Sequence, residues 1–140
     1  MQLVALFDRV CLPSHGDPTL ARQAAKTLSR MTGPAASHLL IRPGAVYDAS
    51  TPAGHMALLS FDDGTCGTVA DDVDAGSLLG ELARQMKRRG VSVTAIGSAP
   101  AGAAHAYRLR GGGIRLSLMV DMQSDDGRTQ ASMLAVRDGG

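Results

Sequence analysis

From Ile114 to Asp121 the chain keeps a strict period of two: Ile114, Leu116, Leu118 and Val120 fall on one side, Arg115, Ser117, Met119 and Asp121 on the other. Successive side chains of a strand point to opposite faces of its sheet. This run therefore demands a strand with one buried and one open face, the pattern of an antiparallel sheet. Its flanks agree. "HAYRLR" alternates His105, Tyr107 and Leu109 against Ala106, Arg108 and Arg110, and the glycines at 111–113 form a permissive turn. "QSDDGR" turns again and "TQASMLAV" pairs back, so the last third reads as a meander.

Upstream, "HMALLSF" and "CGTVAD" flank an Asp-Gly pair, a hairpin signal. Three helices are expected. Leu3, Leu6, Phe7 and Val10 make the apolar stripe of the first, which Pro13 should stop. Asp17 caps the second and Pro18 opens it; Leu20, Ala24, Leu28 and Met31 are its buried stripe, and Gly33 its end. Asp74 caps the third, Leu78, Leu79, Leu82 and Met86 face inward, and Gly90 closes it. "VSVTAIG" then reads as a strand.

Between 33 and 54 the periodicity fades amid Pro34, Pro43 and Pro52, which predicts an irregular connection with at most a short strand near 45–47. Together these readings define one α+β domain over residues 1–140. It has an antiparallel sheet of about five to six strands, a C-terminal meander, and three helices packed on one face.

The composition narrows function mainly by exclusion. Apolar residues make up 44% and charged residues 19%, which is neither disordered nor fibrous. The aromatics are Phe7, Tyr47, Phe61 and Tyr107 alone, so the core must be aliphatic with help from seven methionines. A net charge of +1 does not by itself call for nucleic acid or an anionic membrane. No apolar run nears the ~20 residues of a membrane-spanning helix. "MQLVALFDRVCL" lacks a basic n-region and does not read as a signal peptide. Two compartments fit: the cytosol, or an oxidising one reached by a mature chain whose Met1 was supplied in cloning.

Cys11 and Cys66 favour the second, because one cysteine on each of two distant elements suits a single disulfide. A nucleophilic role for Cys66 is disfavoured by Asp62, Asp63, Asp71 and Asp72 nearby in sequence, which would raise its pKa. No metal set is legible: His15, His38, His55 and His105 are scattered, and Asp71, Asp72 and Asp74 read as carboxylates at the positive end of a helix. "SHGD" at 14–17 reads as a turn rather than a triad. Lys87, Arg88 and Arg89 complement a helix C-terminus; joined by Arg108, Arg110 and Arg115 they would make a basic patch for phosphate or RNA. "RGGGIR" lacks the lysine and the following helix of a phosphate loop. With Tyr107 as the only stacking platform, nucleic acid is disfavoured.

The sequence expectation is a small, non-catalytic, exported accessory or protein-interaction module without cofactors. It would be periplasmic or secreted, stapled by Cys11–Cys66, and of the inhibitor, immunity-type or envelope-complex kind. One alternative is a cytoplasmic structural or assembly subunit, oligomerising through Met119 and an Ala-rich edge of "TQASMLAV". The other is a hydrolase-type enzyme using His55, Asp72 or His105.

Overall fold

The 114–121 alternation lies at the heart of an eight-stranded antiparallel sheet. The computed structural model describes residues 2–96, 104–125 and 128–138. The strands are β1 (Ser29–Arg30), β2 (Gly44–Asp48), β3 (Met56–Phe61), β4 (Cys66–Ala70), β5 (Ser92–Ala95), β6 (Ala104–Gly111), β7 (Ile114–Asp125) and β8 (Arg128–Arg137). Their order is β1-β2-β3-β4-β8-β7-β6-β5. Two meanders thus meet where β8 pairs with β4, in the register Cys66↔Ala135 to Ala70↔Ala131. Gly97, Asp126 and Gly127, which belong to the expected strand end and turn, lie outside the described residues.

Four helical segments accompany the sheet among the described residues. α1 comprises Gln2–Leu6, a π-helical turn at Phe7–Cys11, and Leu12–Ser14. Pro13 does not stop it at Leu12. The Leu12 N–H reaches back to the Phe7 carbonyl, one residue further than an α-helical bond, and this wider turn sits where the proline ring would crowd the preceding carbonyls. α1 ends instead at His15, in the left-handed region at φ 53°. α2 (Pro18–Ala24) is capped as expected, the Thr19 N–H donating to Asp17 at 2.9 Å. Its buried residue is Ala21, followed by Ala25 beyond its end, while Leu20 is 44% exposed. Small residues let this helix approach closely, so the larger leucine turns outward.

The segment 33–54 is more regular than its composition suggests: it carries α3 (Gly33–Leu39) and all of β2. Gly33 opens α3 rather than closing α2. α4 (Ala75–Arg89) matches its expected cap and its stop at Gly90, φ 72°. It links β4 to β5 across four inter-strand steps. Those steps span about 19 Å, and fifteen residues of helix rise about 22 Å. The helix can therefore lie across the inner face of the C-terminal meander. Leu78, Leu82 and Met86 pack there with Leu109, Leu116, Leu118 and Met133.

The helices do not all share one face. α1, α2 and α4 contribute to the inner core, with Phe7, Val10, Leu58 and Val120 fully buried. α3 packs on the opposite face, where Ala36 and Leu39 meet Val46, Ala57, Leu59 and Phe61. The alternation therefore breaks down in β2 and β3, which are covered on both faces, and survives in β6–β8.

Candidate functional site

Cys11, in the π turn, and Cys66, at the start of β4, are bonded in a disulfide with Cα atoms 5.4 Å apart. Both are buried beneath α1, so the bridge ties the N-terminal helix to the centre of the sheet. Cys66 is thereby a cross-link and carries no free thiol.

The basic residues separate into two layers. Arg89, in the last turn of α4, donates to both carboxylate oxygens of Asp8 and to its backbone carbonyl. Lys87 and Arg88 stay exposed beside it, as cations at a helix C-terminus. Arg108, Arg110 and Arg115 lie across the sheet, on the outer face, because Leu109 and Ile114 take the inner one. The two groups occupy one corner of the fold, where Arg89 and Gly90 abut the turn at Gly111 and Gly112.

On the outer face the register sets the neighbours. Ser117 lies between Arg108 and Val136, Met119 lies between Ala106 and Leu134, and Arg110 faces Arg115. Two like charges opposite each other are unfavourable. Asp138, just past β8, relieves this: Arg110 donates to its carboxylate, and Arg108 approaches to 3.6 Å. The Asp138 carboxyl is held below its usual range, first by the hydrogen bond from Arg110 and then by the charges of Arg110, Arg108 and Arg115, against burial.

Among the described residues the apolar cluster under α3 spans β2–β4 and reaches Leu134 of β8. Beyond its edge Met119 is 50% and Val136 43% exposed. β8 is not an edge strand, since β4 and β7 flank it; β1 and β5 end the described sheet. Its residues therefore face outward without offering a ladder for strand addition. The sequence reading found Met119 but not Val136. The same period of two, applied from the inward Ala131, Met133 and Ala135, would have placed Val136 beside it.

Of the alternative catalytic residues, His55 and Asp72 lie near each other, the Asp71 N–H donating to the His55 carbonyl at 3.2 Å, while His105 is three strands away from β4. His55 lines a groove with Asp48, Asp71 and Gln130 between α3 and the start of β3, and Asp72 lines an adjoining depression before α4. His105 is on β6 and stacks on Tyr107, with centroids 6.3 Å apart. Ser50, near His55, is held by a local turn: its N–H donates to Asp48 at 2.9 Å, and its hydroxyl accepts from the Met56 N–H at 3.1 Å. The same serine, through its hydroxyl and then its N–H, keeps the Asp48 carboxyl below its usual value; burial opposes this and His55 adds a small favourable charge. No hydrogen bond joins His55 to Asp48 or Ser50 among the described residues, so the group lacks the relay a nucleophilic serine needs. Asp74 is occupied as a cap by the Gly76 N–H and the Ser77 hydroxyl, and Asp71 accepts from Gln130.

No helix among the described residues is long and apolar enough to cross a membrane. Comparison with protein-family models, curated proteins and solved structures gave no match to this chain.

Proposed function

We propose that this protein is a non-catalytic interaction module of an oxidising compartment, periplasmic or secreted, that docks a partner protein on the outer face of β6–β8. One observation carries the reading: among the described residues no helix covers the outer face of β6–β8, and its exposed centre of Met119 and Val136 is bordered by Arg108, Arg110 and Arg115. Apolar residues ringed by charge are how interaction surfaces are built. The arginine border selects a partner whose apolar patch is edged with carboxylates. The Cys11–Cys66 bridge supports the compartment, because structural disulfides persist where thiols are not kept reduced.

The face is about 14 Å across and about 25 Å long, on the order of 350 Å², below the ~800 Å² per side of a standard interface. A partner confined to it would bind transiently.

The test is site-directed photo-cross-linking at positions 119 and 136 in the native compartment, with position 20 on α2 as control. Any captured protein is then purified and titrated against wild type, Met119→Asp and Leu20→Asp. Binding lost in Met119→Asp, kept in Leu20→Asp and weakened by salt supports the reading. Capture at position 20 alone, or affinity unchanged by Met119→Asp, refutes it. So does finding that the only species captured through 119 and 136 is a second copy of this chain.

A further inference from the structure

The "SHGD" and "RGGGIR" segments, almost 100 residues apart in the chain, meet in space at one end of the sheet. There a cavity of about 220 Å³ is lined by His15, Gly113, Arg115, Arg137 and Asp138. The geometry points to this cavity as a binding site for a compact oxyanion, phosphate or a phosphate monoester, held by Arg115 and Arg137 with His15 at its rim. This goes beyond the docking reading and needs no partner protein.

Three features build the site. First, the backbone packs tightly around it. A Cβ placed on Gly16 would lie 2.8 Å from the Arg137 Cβ, so the turn after α1 rests directly on the stem of Arg137. Gly113, at φ 84°, passes close enough to His15 that an added Cβ would lie 3.8 Å from its Cε1. The glycines at 111–113 carry no side chain, so nothing from that turn fills the cavity.

Second, the charge is one-sided. Asp138 is the one acid lining the cavity, and it is engaged by Arg110 and approached by Arg108. Arg115 and Arg137 have no ion-pair partner among the described residues. Three guanidiniums, of Arg110, Arg108 and Arg115, thus act on one carboxylate, with Arg137 lining the cavity from the inner side, in a chain whose whole net charge is only +1. Arginine is the side chain suited to planar, paired recognition of phosphate oxygens.

Third, the acids of the adjoining turns are already engaged: Asp17 accepts from the Thr19 N–H, Asp62 pairs with Arg22 and Asp63 with Arg42. Asp71 accepts from Gln130, while Arg137 lies seven residues further along β8. At the rise of a strand that is about 24 Å, well beyond the ~8–10 Å over which exposed charges are felt in physiological salt.

Inorganic phosphate is the probe, titrated into the oxidised full-length protein by calorimetry at constant ionic strength. Wild type should bind one equivalent saturably. Arg115→Gln and Arg137→Gln should each weaken binding about tenfold, the equivalent of about 1.4 kcal/mol. Asp138→Asn should tighten it several-fold, because it removes the competing carboxylate. Thermal melts of each variant separate lost binding from lost folding, and Arg30→Gln, on the edge strand β1 away from the cavity, should bind as wild type does. A second arm uses neutral phosphatidylcholine vesicles with and without phosphatidic acid. Binding only to the phosphatidic acid vesicles, lost in Arg115→Gln and Arg137→Gln, would keep the site and assign its phosphate to a lipid headgroup. The proposal fails if neither probe binds, if Arg30→Gln weakens binding as much as Arg115→Gln, or if Asp138→Asn weakens rather than tightens it. Failure of the docking face leaves these titrations unaffected, because neither Met119 nor Val136 lines the cavity.

Discussion

Arg89 grips Asp8 three ways: Nε to one carboxylate oxygen at 2.6 Å, and Nη2 to the other at 3.2 Å and to the backbone carbonyl at 2.9 Å. The pair joins the last turn of α4 to the π turn of α1, two helices far apart in the chain that lie side by side on the inner face. A chelating guanidinium fixes more geometry than a single ion pair.

Breaking that clamp should loosen the helical layer modestly. Arg89 is partly exposed, so solvent screens much of the Coulomb energy and the expected cost of Arg89→Met is about 1 kcal/mol. Urea melts of Arg89→Met, Asp8→Asn and the double variant should show a coupling of about 0.5–1 kcal/mol. A coupling near zero would mean that the helices are held by their apolar packing in the inner core and not by the clamp.

The disulfide should matter more. Cys11 and Cys66 are 55 residues apart, and closing a loop of that length restricts the unfolded chain by about 4 kcal/mol in the entropic account. Cys11→Ser alone should lower the melting temperature markedly and make it insensitive to reductant. Alkylation of the native protein under denaturing conditions, before and after reduction, tests the bond directly: labelling only after reduction is the expected result. Labelling of both cysteines before reduction would remove the argument for an oxidising compartment.

These elements also show where sequence reasoning succeeds. β7 was legible because one of its faces is buried and the other open, which writes burial into a period of two. α4 was legible because Asp74 and Gly90 bracket a stripe several turns long. α3 was hidden: seven residues leave room for little more than Ala36 and Leu39 as a stripe, and its opening Gly33-Pro34 also reads as the end of the helix before. Pro13 misled because a π turn accommodates a proline that an α-helix would not. The cavity at His15 was out of reach for another reason. Its parts come from the turn after α1, the β6–β7 turn and the end of β8, and only the insertion of β8 beside β4 brings them together.

Acid should weaken the hairpin between β3 and β4 in a defined direction. The Asp63 carboxyl is lowered from 3.8, first by the Thr65 N–H at 2.9 Å, then by the Thr65 hydroxyl, with Arg42 adding to the effect against burial. A carboxyl whose folded pKa lies below its unfolded value stabilises the fold above the unfolded value, and that contribution is lost as pH falls through the folded one. Melting temperatures measured from neutral pH downward should therefore fall below about pH 4. Asp63→Asn should fall less steeply over that range and be less stable than wild type at neutral pH. Parallel curves for the two proteins would show that Asp63 contributes nothing to the acid limb.

The turn after α1 makes the sharpest prediction about packing. Gly64, at φ 95°, sits so close to the Gly16 carbonyl oxygen that a Cβ there would collide with it. Gly90, at φ 72°, has open space where its Cβ would be. Alanine at either position bears the left-handed backbone penalty of roughly 1–2 kcal/mol, but only at Gly64 must backbone also move. Gly90→Ala should therefore cost about 1 kcal/mol and Gly64→Ala distinctly more, about 3 kcal/mol or above. Denaturant melts of the two variants side by side isolate the contact from the torsion. Equal losses would mean that the β3–β4 hairpin and the turn after α1 can separate freely, and that Gly16 does not pin the end of the sheet.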